Sequence, residues 1–151
     1  MTDTAPVVTE TRPPGEDRAL AGRERDVLAL TAEERRWGRR RVVTRAGRAL
    51  ALALPTGSVL RPGEIVHVAD DWYVVVEAAP EPVLAVTPRS SEEGLRIAFE
   101  VGNRHFVLAV DGARLLLPDD PAMVQLLTRL GVPFERAHAA FAPLGHGHRH
   151  D

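Results

Sequence analysis

The sequence predicts an α+β protein of two small domains: an N-terminal all-β domain and a C-terminal ferredoxin-like βαββαβ domain with a disordered histidine-containing tail. In the first half, leucine and alanine alternate with a period of two, which is typical of strands with one buried face. In the second half, short apolar strands alternate with two segments of helical period, each opened by a capping residue and followed by glycine. The 151 residues are enough for two such domains.

The N-terminal residues 1–24 are predicted to form a disordered tail. They contain three prolines and two glycines among acids and threonines and show no sustained apolar period. We therefore expect the ordered chain to begin at Arg25.

The β-rich domain is expected to span 25–78. Leu50, Leu52 and Leu54 alternate with alanines, and Thr31 and Glu34 have the spacing of a capping box, which predicts one short helical turn. The expected strands are Asp26–Leu30, Arg41–Thr44, a strand through 50–54, Ile65–Val68 and Trp72–Glu77.

The stretch 78–82, Ala-Ala-Pro-Glu-Pro, marks the expected domain boundary, because proline donates no backbone hydrogen bond and two prolines interrupt a strand ladder. The second domain then spans 79–140. Its expected strands are Val83–Val86, His105–Val110, Arg114–Leu117 and Pro133–His138.

Capping signals predict two helices between these strands. Ser90 and Glu93 open the first helix, which Gly102 is expected to end and in which Leu95, Ala98 and Phe99 share a face. Asp120 and Pro121 open the second helix, Met123, Leu126, Leu127 and Leu130 form its apolar face, and Gly131 ends it. Asp111-Gly112 predicts a type I′ hairpin between the two central strands.

Composition excludes several classes of site. The chain has no cysteine, which excludes thiolate metal sites and cysteine nucleophiles, and it shows no glycine-rich phosphate loop or nucleophile elbow. We therefore expect a protein that is not an enzyme. The N-terminus lacks an apolar signal segment and no apolar run approaches 18 residues, which indicates a cytoplasmic protein without membrane association.

Residues 141–151 are expected to be a flexible tail that binds metal. His146, His148 and His150 occupy alternate positions, so in an extended chain their side chains project to the same side about 6 to 7 Å apart. Neutral imidazole suits nickel, zinc and copper. The alternative is an exposed tail with no ligand role.

His105 is the other candidate ligand. Strand alternation predicts that Phe106, Leu108 and Val110 face the helices, which puts His105 on the opposite face of the sheet. If that face meets a second copy of the chain near a two-fold axis, one histidine becomes two ligands. The alternative is a structural histidine that caps the end of a buried strand.

Gly102-Asn103-Arg104-His105, placed between a helix and a strand, resembles the Gly-Asn-Arg-His signature of the urease accessory nickel metallochaperone family, UreE. The resemblance covers roughly 25–151, because other segments follow in the family's order. These are Thr31–Arg35, Arg39–Arg41, Leu52–Leu60, Arg61–Glu64, Glu77–Ala79, Leu130-Gly131, Phe141–Pro143 and the histidine tail.

This resemblance implies a cytoplasmic homodimer whose cargo is Ni(II), with Zn(II) or Cu(II) binding possible in vitro. It implies an N-terminal domain similar to the peptide-binding domains of heat-shock co-chaperones. His105 would hold nickel across the dimer axis, and His146, His148 and His150 would complete the coordination. The implied acceptors are the urease accessory GTPase, UreG-like, and apo-urease, which receive nickel by ligand exchange.

The chain departs from the family pattern at two places. Some relatives carry histidine where Glu100 stands, and some carry a His-x-His pair near Pro118–Asp120. Whether Glu100, Asp119, Asp120 or His138 contributes a ligand is left open by the sequence. Three tail histidines predict few metal ions per dimer.

The basic run Arg35–Arg41 supports an alternative, a nucleic-acid-binding or general metal-binding adaptor module. Trp37 could stack on a base while the arginines contact phosphates. Glu33 and Glu34 adjoin the run, and the formal net charge of −2 is unlike that of a polyanion binder. A solvated face or an acidic protein partner suits this run better.

Overall fold

The structure is a computed structural model that describes residues 5–144. The chain divides between Ala79 and Pro80 into two compact units. The first unit is built from β-strands, and the second has the βαββαβ order, so the predicted α+β fold class is confirmed.

The first unit, called the β unit below, contains two three-stranded sheets in the orders β1-β4-β3 and β2-β6-β5. Leu50, Leu52 and Leu54 are all buried between them, as their alternation predicts. The strands are β1 Val7–Val8, β2 Glu24–Leu30, β3 Arg39–Val43, β4 Ala49–Ala53, β5 Ile65–Val68 and β6 Trp72–Ala78, with 3₁₀ turns at Glu16–Leu20 and Glu34–Arg36.

The capping box after β2 is confirmed. The Thr31 amide donates to Glu34 Oε1 at 2.8 Å, and the Glu34 amide donates to Thr31 Oγ1 at 3.2 Å. The turn is a single 3₁₀ turn, so the predicted short helix is also confirmed.

The disordered tail predicted for 1–24 is wrong over the described residues 5–24. Val7 and Val8 pair in parallel with β4, and Val8 and Leu20 are 3% and 4% exposed. These apolar residues are too far apart to show a period. Each one packs against a sheet formed by other strands, so the periodicity of the local sequence could not predict that these residues are ordered.

A buried carboxylate joins β2 to the β3–β4 turn. Asp26 is 3% exposed and accepts hydrogen bonds from Thr44 Oγ1 at 2.5 Å, the Val27 and Ala46 amides at 2.8 and 3.0 Å, and Arg48 Nη1 at 3.0 Å. Burial by itself raises the pKa of Asp26, but these donors outweigh it and hold the pKa below its ordinary value. The charged form therefore stabilises the fold.

The second unit, called the α+β unit below, has a four-stranded antiparallel sheet in the order β10-β7-β9-β8, which is the ferredoxin-like arrangement. Ile97 and Val101 of the first helix pack with Met123 and Leu127 of the second in one core. The elements are β7 Pro80–Val86, α1 Ser91–Asn103, β8 Ala109–Asp111, β9 Arg114–Pro118, α2 Pro121–Leu130 and β10 Glu135–Ala140.

The prolines expected to interrupt the ladder lie inside β7. Pro80 pairs with Ala140 and Pro82 with His138, while β9 pairs only from Val83 onward. Over Pro80–Pro82 the strand thus has one neighbour, and two prolines two residues apart present their nitrogens to the same side. An edge without a partner tolerates them, so the strand starts earlier than predicted.

The strand predicted over His105–Val110 is shorter, because β8 begins at Ala109. Leu108 is buried as expected, but Val110 is 57% exposed. The hairpin loop between β8 and β9 has positive φ at Gly112 and not at Ala113, which is the type II′ pattern rather than the predicted type I′.

The flexible tail predicted for 141–151 is wrong over the described residues 141–144, and the rest of that range lies outside the described residues. Phe141 is 2% exposed, and the Leu144 amide donates to the Leu108 carbonyl at 2.8 Å. The chain is therefore held to the α+β unit as far as Leu144. Neither helix, α1 or α2, is long and apolar enough to cross a membrane.

We predict that Asp26→Asn lowers the free energy of unfolding of the β unit by about 2 to 4 kcal/mol at pH 7, because the donors lose a charged acceptor. Because the pKa of Asp26 is lower in the folded protein than in the unfolded chain, its charge stabilises the fold fully at pH values above the unfolded pKa of about 4. This contribution is lost as the pH falls through the folded-state pKa. The variant should therefore show a weaker loss of stability in acid than the wild type.

Urea unfolding followed by tryptophan fluorescence measures this, because both tryptophans, Trp37 and Trp72, lie in the β unit. Asp70→Asn, at an exposed turn position, is the matched control. An Asp26→Asn protein as stable at pH 7 as the wild type would contradict the assigned role.

Candidate metal centre

His105 lies in the turn that ends α1. The Phe106 amide donates to the Val101 carbonyl at 3.1 Å, and the His105 amide donates to the Gly102 carbonyl at 3.0 Å. These two bonds define a Schellman motif, whose C′ residue adopts the left-handed conformation. His105 occupies that position with φ of 61°.

Gly102 was expected to end the helix in the left-handed conformation, and this is wrong. Gly102 belongs to α1, which continues to Asn103. Among residues 5–144, His105 is the only non-glycine residue with positive φ. A histidine therefore stands where the backbone favours glycine.

The second helix ends with the same hydrogen bonds. The Val132 amide donates to the Leu127 carbonyl at 2.9 Å, and the Gly131 amide donates to the Thr128 carbonyl at 3.1 Å. Gly131 holds the C′ position with φ of 70°. Because a side chain in this conformation costs roughly 1 kcal/mol, the histidine of α1 stabilises the fold less than glycine would. Such local strain is common at functional sites.

The His105 side chain is exposed, and the residue before it is fixed to the helix. Arg104 Nη1 donates to the Glu100 carbonyl at 3.0 Å and also forms an ion pair with the Glu100 carboxylate. This arginine therefore satisfies one of the last carbonyls of α1, which have no partner within the helix. The Glu100 carboxylate, an open candidate ligand, is already engaged.

The other candidate ligands have separate roles. Asp120 caps α2 by accepting from the Ala122 amide at 2.8 Å. Asp119 Oδ2 lies 3.4 Å from Arg136 Nε. His138 is exposed on the edge strand β10. His146, His148 and His150 lie outside the described residues.

Within residues 5–144, no three His, Asp or Glu side chains come together as a metal site. His105 therefore belongs to no three-residue metal cluster within these residues, and a chelate would need further ligands from the tail or from a second copy of the chain. The Leu144 amide is bonded to the carbonyl of Leu108, which lies three residues after His105 in the chain. This bond therefore holds the C-terminal segment near the candidate ligand. The periodicity of the sequence did not predict this anchor, although Phe141 and Leu144 are the two large apolar residues of the C-terminal segment.

The exposed face of α1 carries two large apolar side chains. Leu95 and Phe99, one helical turn apart, are 73% and 68% exposed, while Ile97 and Val101 are fully buried. Leu95 and Phe99 share a face as predicted, but this face points away from the core. Gly102 follows on the same stripe, which leads to the turn that carries His105.

Two family descriptions match the chain. "UreE urease accessory protein, N-terminal domain" matches residues 8–79, and "UreE urease accessory protein, C-terminal domain" matches residues 81–151. The chain belongs to the UreE family. The resemblance suggested by the Gly-Asn-Arg-His segment is thereby confirmed, as is the expectation of an accessory protein rather than an enzyme.

Curated relatives agree with this assignment. The urease accessory protein UreE of Synechococcus sp. (strain JA-3-3Ab) is 41% identical over 124 residues, which cover 80% of this chain and 83% of the relative. The Deinococcus radiodurans protein of the same name is 42% identical over 125 residues, covering 83% and 80%. The Ralstonia nicotianae protein is 38% identical over 136 residues, covering 87% and 64%.

We predict that His105→Gly makes the metal-free protein more stable by about 1 kcal/mol, because glycine adopts positive φ without steric cost. Gly131→His, the reciprocal change at the same position of α2, should lower stability by a similar amount. Space is available there, since no atom lies within 4 Å of a Cβ built on Gly131.

Urea unfolding followed by helical circular dichroism measures both changes, because α1 and α2 both belong to the α+β unit. Destabilisation by His105→Gly would contradict the inferred strain.

Proposed function

We propose that this UreE-family protein is a cytoplasmic metallochaperone that carries Ni(II) for assembly of the urease active site. The family assignment supports a role in urease maturation. The observation that carries the metal site is the strained, exposed His105 at the end of α1. Glycine would adopt this conformation without strain, and strained residues cluster at functional sites, which supports a role for the imidazole.

A homodimer turns this single imidazole into a site. Leu95 and Phe99 expose apolar surface on the stripe that leads to His105, and a two-fold axis beside α1 would pair this surface with its copy. The same axis brings the two His105 rings together. Two chains thus supply two ligands, while one chain supplies one.

Tail histidines complete the coordination in this proposal. Leu144 is bonded to Leu108, which lies three residues after His105, so the chain between these two residues spans at most about 11 Å. His146 follows two residues after Leu144, a further reach of about 7 Å at most. His146, His148 and His150 can therefore approach His105 without displacing the anchored segment.

Transfer follows from the weakness of such a site. Two imidazoles leave a nickel ion, which prefers square-planar or octahedral surroundings, mostly coordinated by water. Tail ligands bind at the entropic cost of ordering glycine-containing chain, about 1 to 2 kcal/mol per residue fixed. A ligand that detaches easily can be replaced by one from the acceptor, which we propose to be the UreG-like GTPase and, through it, apo-urease.

We predict about one tight Ni(II) ion per two chains by isothermal titration calorimetry. His105→Ala should abolish this event, and a chain ending at Gly145 should bind more weakly because the tail imidazoles are gone. His67→Gln removes an imidazole from the β unit and serves as the matched control. The same titrations with Zn(II) and Cu(II) measure whether the protein prefers nickel to these metals. Equal nickel binding by all four proteins would refute this site.

We predict that Phe99→Glu converts the dimer into a monomer, because two carboxylates would be buried against apolar surface. Sedimentation equilibrium measures this change, and nickel titration should then lose its tight event. Val7→Glu, a substitution at a valine 65% exposed in the β unit, is the control. A Phe99→Glu protein that stays dimeric would place the axis elsewhere.

A further inference from the structure

β3 forms one edge of its sheet, and half of its backbone groups point away from the neighbouring strand. The Leu54 amide donates to the Gly38 carbonyl and the Thr44 amide donates to the Arg48 carbonyl, both at 2.8 Å. Gly38 and Thr44 therefore face β4, and alternation along the strand gives Arg40 and Val42 the same orientation. The N–H and C=O groups of 39, 41 and 43 point outward.

No backbone partner occupies that outward edge within the described residues 5–144. The side chains of Arg39, Arg41 and Val43 are also exposed, with Val43 at 65%. Arg39 and Arg41 pair with Ala53 and Ala51 of the neighbouring strand β4. These alanines are too small to cover the aliphatic parts of the arginine side chains. The edge thus offers donors, acceptors and cationic side chains together.

These arginines lack the acidic partners that others in the chain have. Arg25 and Arg45 both lie near Glu77, and Arg48 pairs with two acids. Within the part of the chain that the structure describes, no salt bridge involves Arg39 or Arg41. Their charges are available to a ligand.

The nearby aromatic side chain is already covered. The Arg40 guanidinium lies 4.3 Å from the centre of the Trp37 ring, which fills one face of the ring that a base would stack on. A nucleic acid would also leave the outward carbonyls of β3 without donors. A polypeptide backbone supplies both a donor and an acceptor at each outward position.

We propose that the free edge of β3 binds an extended acidic segment of a partner protein by strand addition. The backbone of the segment would pair with the outward groups of 39, 41 and 43, and carboxylates on alternate residues would meet Arg39 and Arg41. Side chains on one face of a strand repeat every 6 to 7 Å, so acids at every second position match the two arginines. This surface belongs to the β unit and does not depend on the metal site.

The test uses two seven-residue peptides with fluorescein on the N-terminus and an amidated C-terminus, one alternating Glu with Val and one alternating Gln with Val. Binding to the full-length protein is measured by fluorescence anisotropy at low salt. The acidic peptide should bind at least tenfold more tightly than the neutral one. Equal affinity, or binding of neither peptide, would overturn the proposal. The arginines would then serve only to prevent this edge from pairing with another copy of itself.

Charge reversal tests the arginines. Arg39→Glu combined with Arg41→Glu should lower the affinity for the acidic peptide at least tenfold. Arg18→Glu combined with Arg129→Glu, a pair of exposed arginines elsewhere, makes the same change in net charge and should have less than a twofold effect. Similar losses in both double variants would overturn the proposal, because they would indicate attraction by net charge alone.

A proline tests the backbone. Val43→Pro removes one outward N–H at an edge position where proline is tolerated, and Val43→Ala removes the side chain while it keeps the N–H. The proline variant should bind the acidic peptide at least fivefold more weakly than the alanine variant, with tryptophan fluorescence confirming the fold. Equal binding, or displacement of the peptide by a twenty-nucleotide oligo-dT, would overturn strand addition.

Discussion

One backbone conformation fixes the candidate metal ligand in space. The Schellman motif at the end of α1 requires left-handed φ at its C′ residue, and His105 adopts it. The motif also buries Val101 and partly buries Phe106, so the turn is part of the core and not a loose loop. The backbone of His105 is thus fixed by the turn that packs on the core, and the preceding residue, Arg104, is paired with Glu100 of the helix.

Local sequence rules predicted most of the fold. The alternation of Leu50, Leu52 and Leu54, the Thr31–Glu34 capping box and the Asp120 to Gly131 helix were predicted from spacing and were confirmed. Each of these signals lies within one element. The strand order of the ferredoxin-like sheet also followed from the order of elements, because few topologies accommodate βαββαβ.

Several of the wrong predictions share a cause, which is that they depend on tertiary contacts that local patterns do not show. Val8 and Leu20 are buried by strands that come later in the chain, and Pro80 is tolerated because β9 does not reach it. The conformation of His105 is another case. Glycine at 102 was a stronger local signal than histidine at 105, yet packing of Phe106 sets where the helix ends. Local propensity was overridden by tertiary contacts.

The anchor at Leu144 bears on how strongly a short tail can bind metal. Without the bond to Leu108, the last anchored residue would be the buried Phe141, so His146 would be five residues from its last fixed point instead of two. Loop-closure entropy grows with the logarithm of length, so this shortening from five residues to two would contribute about 0.8 kcal/mol for each tail in the proposed site. A long histidine-rich tail gains affinity from many ligands. In the site we propose, a tail with three histidines would gain it from a short tether, because the tether would raise the local concentration of each imidazole beside His105 while leaving the contact weak enough to exchange.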